Sequence, residues 1–281
     1  MKLASFVVDG KSSWGAVVEG GVIDLAPLTG CVSLREALTK GGNPTVWAQA
    51  VAGRQPDHVL ENITWLPVIP EPPKILCIGT NYHDHRIETG REVPDHPVVF
   101  SRFANSQVGH EQPILRPTQS HQLDFEGEIA LVIGRYGRDI KEADAWHYVA
   151  GYAPYNDGTL RDWQRHTHQW IPGKNFPATG GFGPWMVTRD QIGDGADLSL
   201  VTRLNGVEVQ RTSASLMIFS IPAIIAYCSR FTELEPGDVI VTGTPGGVGG
   251  KRNPPLWMKP GDVVEVEVGQ VGVLRNPIQD A

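Results

Sequence analysis

The chain has 281 residues, of which 41% are hydrophobic and 20% charged, and its formal net charge at pH 7 is −7. This length and composition fit one large domain, or one domain with a smaller companion, and no apolar run reaches the length that spans a bilayer. The negative charge and the lack of a basic cluster argue against nucleic acid or an anionic membrane as the main partner.

Residues 1–70 predict a small N-terminal domain rich in β-strands. The stretches "KLASFVVDG" and "WGAVVEGGVIDL" alternate apolar and polar residues, and Gly20 with Gly21 predicts a hairpin turn. "SLREALTK" predicts a short helix capped by Ser33 and ended before Gly41. The four prolines of "LPVIPEPPKI" exclude regular structure and predict a linker, so a second domain is expected over residues 71–281.

The second domain is predicted to be mostly β, with a few covering helices, in an α+β arrangement. Its strands are short, rich in β-branched residues and bounded by Gly, Pro or Asp: "KILCIG", "PVVF", "GEIALVIG", "PWMV", "LSLVTRLNG", "DVIVTG" and "DVVEVEV". The clearest helix is "SIPAIIAYCSRF", with Ser220 as its cap. No alternation of strands with long helices indicates a doubly wound sheet.

The cysteines predict the compartment. Cys31, Cys77 and Cys228 are odd in number, widely spaced and set among apolar residues, which favours reduced and buried thiols. The opening "MKLASFVVDG" is too short and too alternating for a secretory signal. We therefore expect a cytoplasmic protein.

Three carboxylates stand on alternate positions in "DFEGEIALVIG". On a strand, Asp124, Glu126 and Glu128 would share one face at about 7 Å for each two-residue step. The apolar residues that follow predict burial, where like charges are costly unless a cation such as Mg²⁺, Mn²⁺ or Ca²⁺ joins them. Asp157 in "YNDGTLRDWQ" is a candidate third ligand. The alternatives are exposed acids at a strand edge and an ordinary turn residue at Asp157.

Two further segments offer acid–base groups. In "GTNYHDHRIETG", His85 and Glu88 are three residues apart on a short helix that Gly90 ends, so the carboxylate can orient the imidazole as a general base requires. Lys174 in "PGKNFPATGG" is a candidate for balancing the acids or holding a substrate carboxylate. The alternatives are an exposed helix pair and a solvated lysine, and His166 with His168 favours a polar loop over a zinc site.

Several of these stretches, in this order and spacing, resemble the fumarylacetoacetate hydrolase family. The resemblance runs from about Lys74 to Ile278 and rests on "NYHDHRIETG", "DFEGEIALVIG", "YNDGTLRDWQ", "GKNF", "MIFSIPAIIAY", "LEPGDVIVTGTPGGVG" and "KPGDVVEVEV". It implies a mixed β-sandwich roll, a homodimer and a Mg²⁺ or Mn²⁺ cofactor. The roles it implies are metal ligation by Glu126, Glu128 and Asp157, catalysis by His85, Glu88 and Lys174, and substrate binding by Tyr82, Arg161, Gln210 and Thr244.

The chain departs from the family pattern in two places. Members often have K-S-F-D at the lysine, whereas Pro177 stands in the last position here, which puts the substrate preference in doubt. His166 and His168 replace other polar residues and are candidates for shaping the acyl end of the pocket.

The function implied is a divalent-metal-dependent hydrolase that cleaves a C–C bond in a 1,3-diketo acid of the acylpyruvate or fumarylpyruvate type. The reaction would pass through a metal-bound enolate, with His85 and Glu88 activating water. The same site suits an isomerase of the 2-hydroxyhepta-2,4-dienedioate type or an oxaloacetate decarboxylase. The expected substrate is a small dicarboxylic or diketo acid. A relative without catalysis that binds such an acid is a further alternative, against which the complete His–Glu pair argues.

Overall fold

The computed structural model describes residues 1–281, which form nineteen strands, eight α-helices and five short 3₁₀-helices. The strands are β1 Lys2–Val8, β2 Lys11–Val18, β3 Gly21–Asp24, β4 Thr64–Trp65, β5 Ile75–Gly79, β6 Val98–Arg102, β7 Gln107–Val108, β8 Ile114–Arg116, β9 Leu123–Asp124, β10 Gly127–Ile133, β11 Val149–Asn156, β12 Thr159–Leu160, β13 Gly180–Phe182, β14 Met186–Thr188, β15 Ser199–Leu204, β16 Val207–Ser213, β17 Val239–Val241, β18 Val263–Val268 and β19 Gly272–Asp280.

The helices are short, and only one exceeds eight residues. They are α1 Ala26–Thr29, α2 Leu34–Thr39, α3 Pro44–Val51, α4 His83–Thr89, α5 Arg161–Gln164, α6 Ile171–Lys174, α7 Arg189–Ile192 and α8 Ile221–Phe231. The 3₁₀-helices are Leu60–Asn62, Ala104–Ser106, Glu142–Tyr148, Ala214–Leu216 and Gly249–Lys251. None of the helices combines the length and apolar character needed to cross a bilayer.

Two main sheets face each other. The larger has twelve strands in the order β3-β2-β1-β14-β11-β10-β17-β5-β6, with β4, β7 and β13 attached beside this path. The smaller has the order β16-β15-β18-β19-β8, and β9 pairs separately with β12. Leu131 of β10, Leu200 of β15, Val266 of β18 and Ile224 of α8 share one buried cluster. The predicted mostly β fold is confirmed.

The first strands extend the larger sheet. Lys2 of β1 pairs with Val187 of β14, and Trp14 of β2 lies in one core cluster with Tyr155 of β11 and Phe182 of β13. The predicted cap of α2 is confirmed, because the Ser33 side chain accepts a hydrogen bond from the Glu36 N–H. The domain boundary at residue 70 stays a prediction.

The prediction that Asp124, Glu126 and Glu128 lie along one face of one strand is wrong. β9 ends at Asp124 and β10 begins at Gly127, so the strand is interrupted between them. At this break the Glu126 N–H donates to Asn156 Oδ1 at 3.0 Å, instead of to the backbone of a neighbouring strand. Asp124 is not part of the buried acid cluster, which consists of Glu126, Glu128 and Asp157. The three cysteines are free and buried, as predicted.

Candidate active site

Three carboxylates converge where β10 begins and β11 ends. Gly127 pairs with Asn156 across the antiparallel strands, which places Glu126 and Glu128 beside Asp157. All three residues are buried, and one oxygen atom from each lies within 4.8 Å of those of the other two. The Asp157 N–H also donates to the Glu126 carbonyl oxygen at 2.8 Å. The backbone pairing therefore holds the cluster in register.

Buried cations form salt bridges with two of these acids, and the third has no such partner. Lys174 Nζ lies 2.6 Å from Glu126 Oε2 and 2.5 Å from Asp157 Oδ2. Arg161 Nη2 lies 2.6 Å from Glu126 Oε1, and Arg102 Nη1 lies 2.6 Å from Asp157 Oδ1. Glu128 forms no salt bridge and accepts a short hydrogen bond from the Gly243 N–H. Glu128 is thus the carboxylate without a cationic partner.

The pKa values follow this arrangement. Burial opposes ionisation of Glu126, but Arg161 and Lys174, with a smaller effect of His85, hold its pKa far below the ordinary value. Burial, together with the charges of Asp157 and Glu126, raises the pKa of Glu128 well above the ordinary value. Burial also opposes the charge on Lys174, yet Asp157 and Glu126 raise its pKa, so the ammonium stays protonated.

The donor set fits a small divalent cation. Three oxygen ligands converge in a buried position, and Glu128, which accepts a hydrogen bond from the Gly243 N–H, has no salt-bridge partner. Mg²⁺ and Mn²⁺ prefer carboxylate oxygens and take only a few of them, which leaves positions for a substrate. These residues can therefore hold a divalent metal.

The helix α4 supplies a paired imidazole. It ends at Gly90, whose φ of 69° is left-handed, and His85 Nδ1 lies 2.7 Å from Glu88 Oε1. Glu88 Oε2 accepts a hydrogen bond of 2.9 Å from the Gly247 N–H. Because a carboxylate only accepts hydrogen bonds, Nδ1 is the donor and Nε2 carries the free lone pair. His85 is thereby set up as a base.

One cavity of about 490 Å³ joins these groups. Its walls include most of the predicted site residues: His85, Glu126, Glu128, Arg161, Lys174 and Thr244. Sequence reasoning missed the other wall residues, among them Arg91, Arg165, Trp170 and Lys251. The predicted His–Glu pair and carboxylate cluster are therefore brought together, whereas the roles of the individual residues stay predictions.

Other predicted residues lie behind the wall. Gln210 accepts from the Gly127 N–H at 3.0 Å and donates to Thr244 Oγ1 at 2.9 Å, so it braces two wall segments. Tyr82 is buried, does not line the cavity, and its hydroxyl has no hydrogen-bond partner. His166 and His168 are exposed and do not line the cavity either. Substrate contact by Tyr82 and Gln210 stays a prediction.

The segment Gly243–Gly250, here called the glycine-rich loop, contacts acids from three places in the chain. Its backbone N–H groups donate to Glu128 from Gly243, to Glu88 from Gly247, and to Asp124 from Gly249 and Gly250, both at 2.8 Å. Asp124 also accepts from Arg161 Nε at 2.7 Å, so it supports the site from outside the cluster. The loop therefore positions carboxylates.

Arg102 was missed by sequence reasoning. This residue ends β6 and is 2% exposed, and its guanidinium binds Asp157 Oδ1, the Gly158 carbonyl oxygen and Thr179 Oγ1. The sequence contains one indication of this role, which is that a basic residue ends the apolar strand "PVVFSR". A charge at the end of a buried strand needs a buried partner of opposite charge.

Known proteins resemble this chain over most of its length. The family model described as fumarylacetoacetate (FAA) hydrolase C-terminal matches residues 74–279. The oxaloacetate tautomerase fahd2, mitochondrial, of Xenopus laevis is 42% identical over 266 residues, which cover 92% of this chain and 83% of that protein.

Solved structures also match over the full chain. The fumarylacetoacetate hydrolase of Exiguobacterium antarcticum has a TM-score of 0.88 and 37% identity, with 100% of both chains covered. The 2-hydroxyhepta-2,4-diene-1,7-dioate isomerase of Mycobacterium marinum has a TM-score of 0.79 and 30% identity, with 100% of this chain and 98% of that one covered. Since the family match spans most of the sequence and includes the whole carboxylate cluster, the chain belongs to the fumarylacetoacetate hydrolase family and is an enzyme.

Proposed function

We propose that the enzyme interconverts the keto and enol forms of a short 2-oxo dicarboxylic acid of the oxaloacetate kind, with Mg²⁺ or Mn²⁺ at Glu126, Glu128 and Asp157. The observation that carries this proposal is that His85, a paired base, and the carboxylates Glu126 and Glu128 line the same cavity. The 42% identity to a protein named oxaloacetate tautomerase supports keto–enol exchange among the reactions that such a site suits.

The chemistry needs one proton to move from carbon 3 of the substrate to the oxygen on carbon 2. A divalent cation at the carboxylate cluster would act as a Lewis acid toward the 2-oxo group and make the neighbouring C–H more acidic. His85 Nε2 takes the proton from carbon 3 and returns it to the oxygen, while Glu88 keeps the ring oriented and stabilises the imidazolium. Lys174, protonated beside Glu126 and Asp157, offsets negative charge on that oxygen.

The charges of the cavity wall favour an acidic substrate. Arg91, Arg165 and Lys251 line the cavity, and none of them forms a salt bridge, whereas Arg161 and Lys174 are already paired with acids. In a chain with a net charge of −7, three cations without acidic partners at one cavity create a local positive field. Such a field attracts small anions such as a dicarboxylate.

The second candidate is hydrolysis of an acylpyruvate. It is supported by the complete His85–Glu88 pair, which can activate water, and by the 37% identity to a structure named fumarylacetoacetate hydrolase. Decarboxylation of oxaloacetate and isomerisation of a 2-hydroxyhepta-2,4-dienedioate use the same groups. The products separate these reactions, because hydrolysis yields pyruvate and a second acid, whereas decarboxylation yields pyruvate and CO₂.

The test follows the enol absorbance of oxaloacetate with chelator-stripped protein, before and after addition of Mg²⁺ or Mn²⁺. We expect metal-dependent acceleration of keto–enol exchange without pyruvate release, lost in Glu126→Gln and in His85→Ala. Glu208→Gln is the matched control, because Glu208 lies in an exposed ion pair with Arg211 and does not line the cavity. Pyruvate release from oxaloacetate or from an acylpyruvate, without faster exchange, would replace the proposal with decarboxylation or hydrolysis.

A homodimer is part of this proposal. Light scattering at twice the chain mass of 30.6 kDa would support it, and a monomer would contradict it. The cytoplasmic location stays a prediction, and the Xenopus laevis relative is named as a mitochondrial protein.

A further inference from the structure

Arg91 is a cation of the cavity wall that the mechanism above does not use. It directly follows Gly90, so the end of α4 delivers it to the cavity. Its guanidinium carbon lies 4.6 Å from the centre of the Trp170 ring, which also lines the cavity. Arg91 forms no salt bridge, and its side chain donates no hydrogen bond within the protein. Its donors are therefore available to a ligand.

Trp170 gives this guanidinium a fixed support. The ring packs edge-on against Phe100, with the ring centres 5.2 Å apart. On another side it fills the space that Gly79 leaves free, since a Cβ atom at Gly79 would lie 2.3 Å from the ring. Trp170 immediately precedes α6, which carries Lys174. The platform under Arg91 is therefore tied to the same segment that delivers the active-site lysine.

Arg91 lines the same cavity as Glu126 and Glu128. Burial lowers the pKa of Arg91, and the charge of Glu126 acts in the opposite direction. A guanidinium keeps its proton in proteins and presents a planar edge that matches a carboxylate with two parallel hydrogen bonds. Stacking on an indole leaves that edge free.

We infer that Arg91, supported by Trp170, binds the second carboxylate of a 2-oxo dicarboxylate whose 2-oxo acid end lies at Glu126 and Glu128. This inference rests on the proposed function, because it takes a 2-oxo acid as the substrate. It assigns selectivity for dicarboxylates over monocarboxylates to a residue outside the acid cluster and outside the His–Glu pair.

The test compares two stable ligands on the Mg²⁺-saturated protein by titration calorimetry. Oxamate resembles a 2-oxo monocarboxylate, and N-oxalylglycine carries the same group extended by a second carboxylate. We expect wild type to prefer N-oxalylglycine and Arg91→Ala to lose about tenfold of this preference, because a charge-assisted hydrogen bond is lost, while the Kd of oxamate stays within about twofold. Arg91→Lys should keep part of the preference.

Two further variants separate the alternatives. Arg211→Ala removes the same unit charge from an exposed ion pair and should leave both Kd values unchanged. Trp170→Leu keeps Arg91 but removes its platform and should reduce the preference for N-oxalylglycine. Equal weakening of both ligands in Arg91→Ala would show that Arg91 only supports α4 and would overturn the inference, as would a wild type without any preference.

The binding test does not depend on turnover, so it separates this inference from the proposed function. A preference that Arg91→Ala abolishes, in an enzyme without keto–enol activity, would overturn the function and keep the subsite. Activity on oxaloacetate with no effect of Arg91→Ala on selectivity would keep the proposed function and overturn the subsite. Matching thermal unfolding of wild type and Arg91→Ala checks that both are folded.

Discussion

Replacing Arg102 by Met is expected to destabilise the metal-free protein strongly. Arg102 Nη1 lies 2.6 Å from Asp157 Oδ1 and 2.9 Å from the Gly158 carbonyl oxygen, and Arg102 Nη2 lies 3.0 Å from Thr179 Oγ1. Both members of the ion pair are fully buried at their side chains. Methionine keeps much of the length but leaves Asp157 without this partner. Breaking a buried pair in this way costs about 3–5 kcal/mol of the free energy of unfolding.

The assay is urea and thermal unfolding in the presence of a chelator. With about 2–4 °C for each kcal/mol in a domain of this size class, the expected loss corresponds to a drop in Tm of about 6–20 °C. Arg211→Met is the control, because its ion pair with Glu208 is exposed, and it should leave stability unchanged. A second readout is Mn²⁺ affinity, which should fall by about tenfold because Asp157 loses its orienting partner. A destabilisation under about 1 kcal/mol would refute the reasoning.

Three other changes test the site and its surroundings. Glu128→Gln should unfold at a higher temperature than wild type at pH 8 without metal, because burial and the charges of Asp157 and Glu126 raise the pKa of Glu128 and make its ionised form costly. At a metal concentration of 100 times Kd, the free energy of unfolding of wild type should rise by about 2.7 kcal/mol, and that of the variant by much less. A metal-free variant that is less stable than metal-free wild type would contradict the assignment. Gly247→Ala should lower kcat, since Gly247 has φ of 97° and a Cβ there would lie 2.5 Å from the Val209 carbonyl oxygen, displacing the N–H that holds Glu88. Gly193→Ala, with φ of 84° and open space around it, is the control and should change stability only. Burial raises the pKa of Asp238 to about 6, so the folded state holds this proton more tightly than the unfolded state. Wild type should therefore lose stability relative to Asp238→Asn as pH rises from about 4 to about 6. Urea unfolding at pH 4, 5, 6 and 7 checks this, and a stability difference that is independent of pH would contradict it.

Local signals predicted much of the fold. The strands at "KILCIG", "GEIALVIG" and "DVVEVEV" and the helix capped by Ser220 occur as expected, because β-branched runs and caps act within a few residues. The strand β11 was missed because "VAGYAPYN" contains Gly, Ala, Pro and Asn, which disfavour strands. Its conformation is imposed by pairing with β10 on one side and with β13 and β14 on the other.

The sequence predicted the site residues that lie in short motifs, but not their partners from distant parts of the chain. Glu126, Glu128 and Asp157 converge as the family resemblance implied, whereas spacing alone wrongly added Asp124 to the same strand face. Arg102 and Asp157 are 55 positions apart in the sequence, and Arg91 meets Trp170 only through the folded chain. Such partners depend on the relative positions of distant strands and loops, which no short pattern specifies.

The cavity has two parts that differ in their tolerance to substitution. One is the glycine-rich loop, and the other is formed by Arg91, Arg165 and Trp170. Substituting Gly243, Gly247 or Gly249 disturbs acids that serve separate purposes, so adaptation through this loop would alter several properties at once. The side chains of Arg91, Arg165 and Trp170 donate no hydrogen bond to those acids, although they line the same cavity. We therefore expect that evolution, or a mutagenesis library, can change the substrate by substituting Arg91, Arg165 and Trp170. The glycine-rich loop and the acids that it positions would then keep the same chemistry.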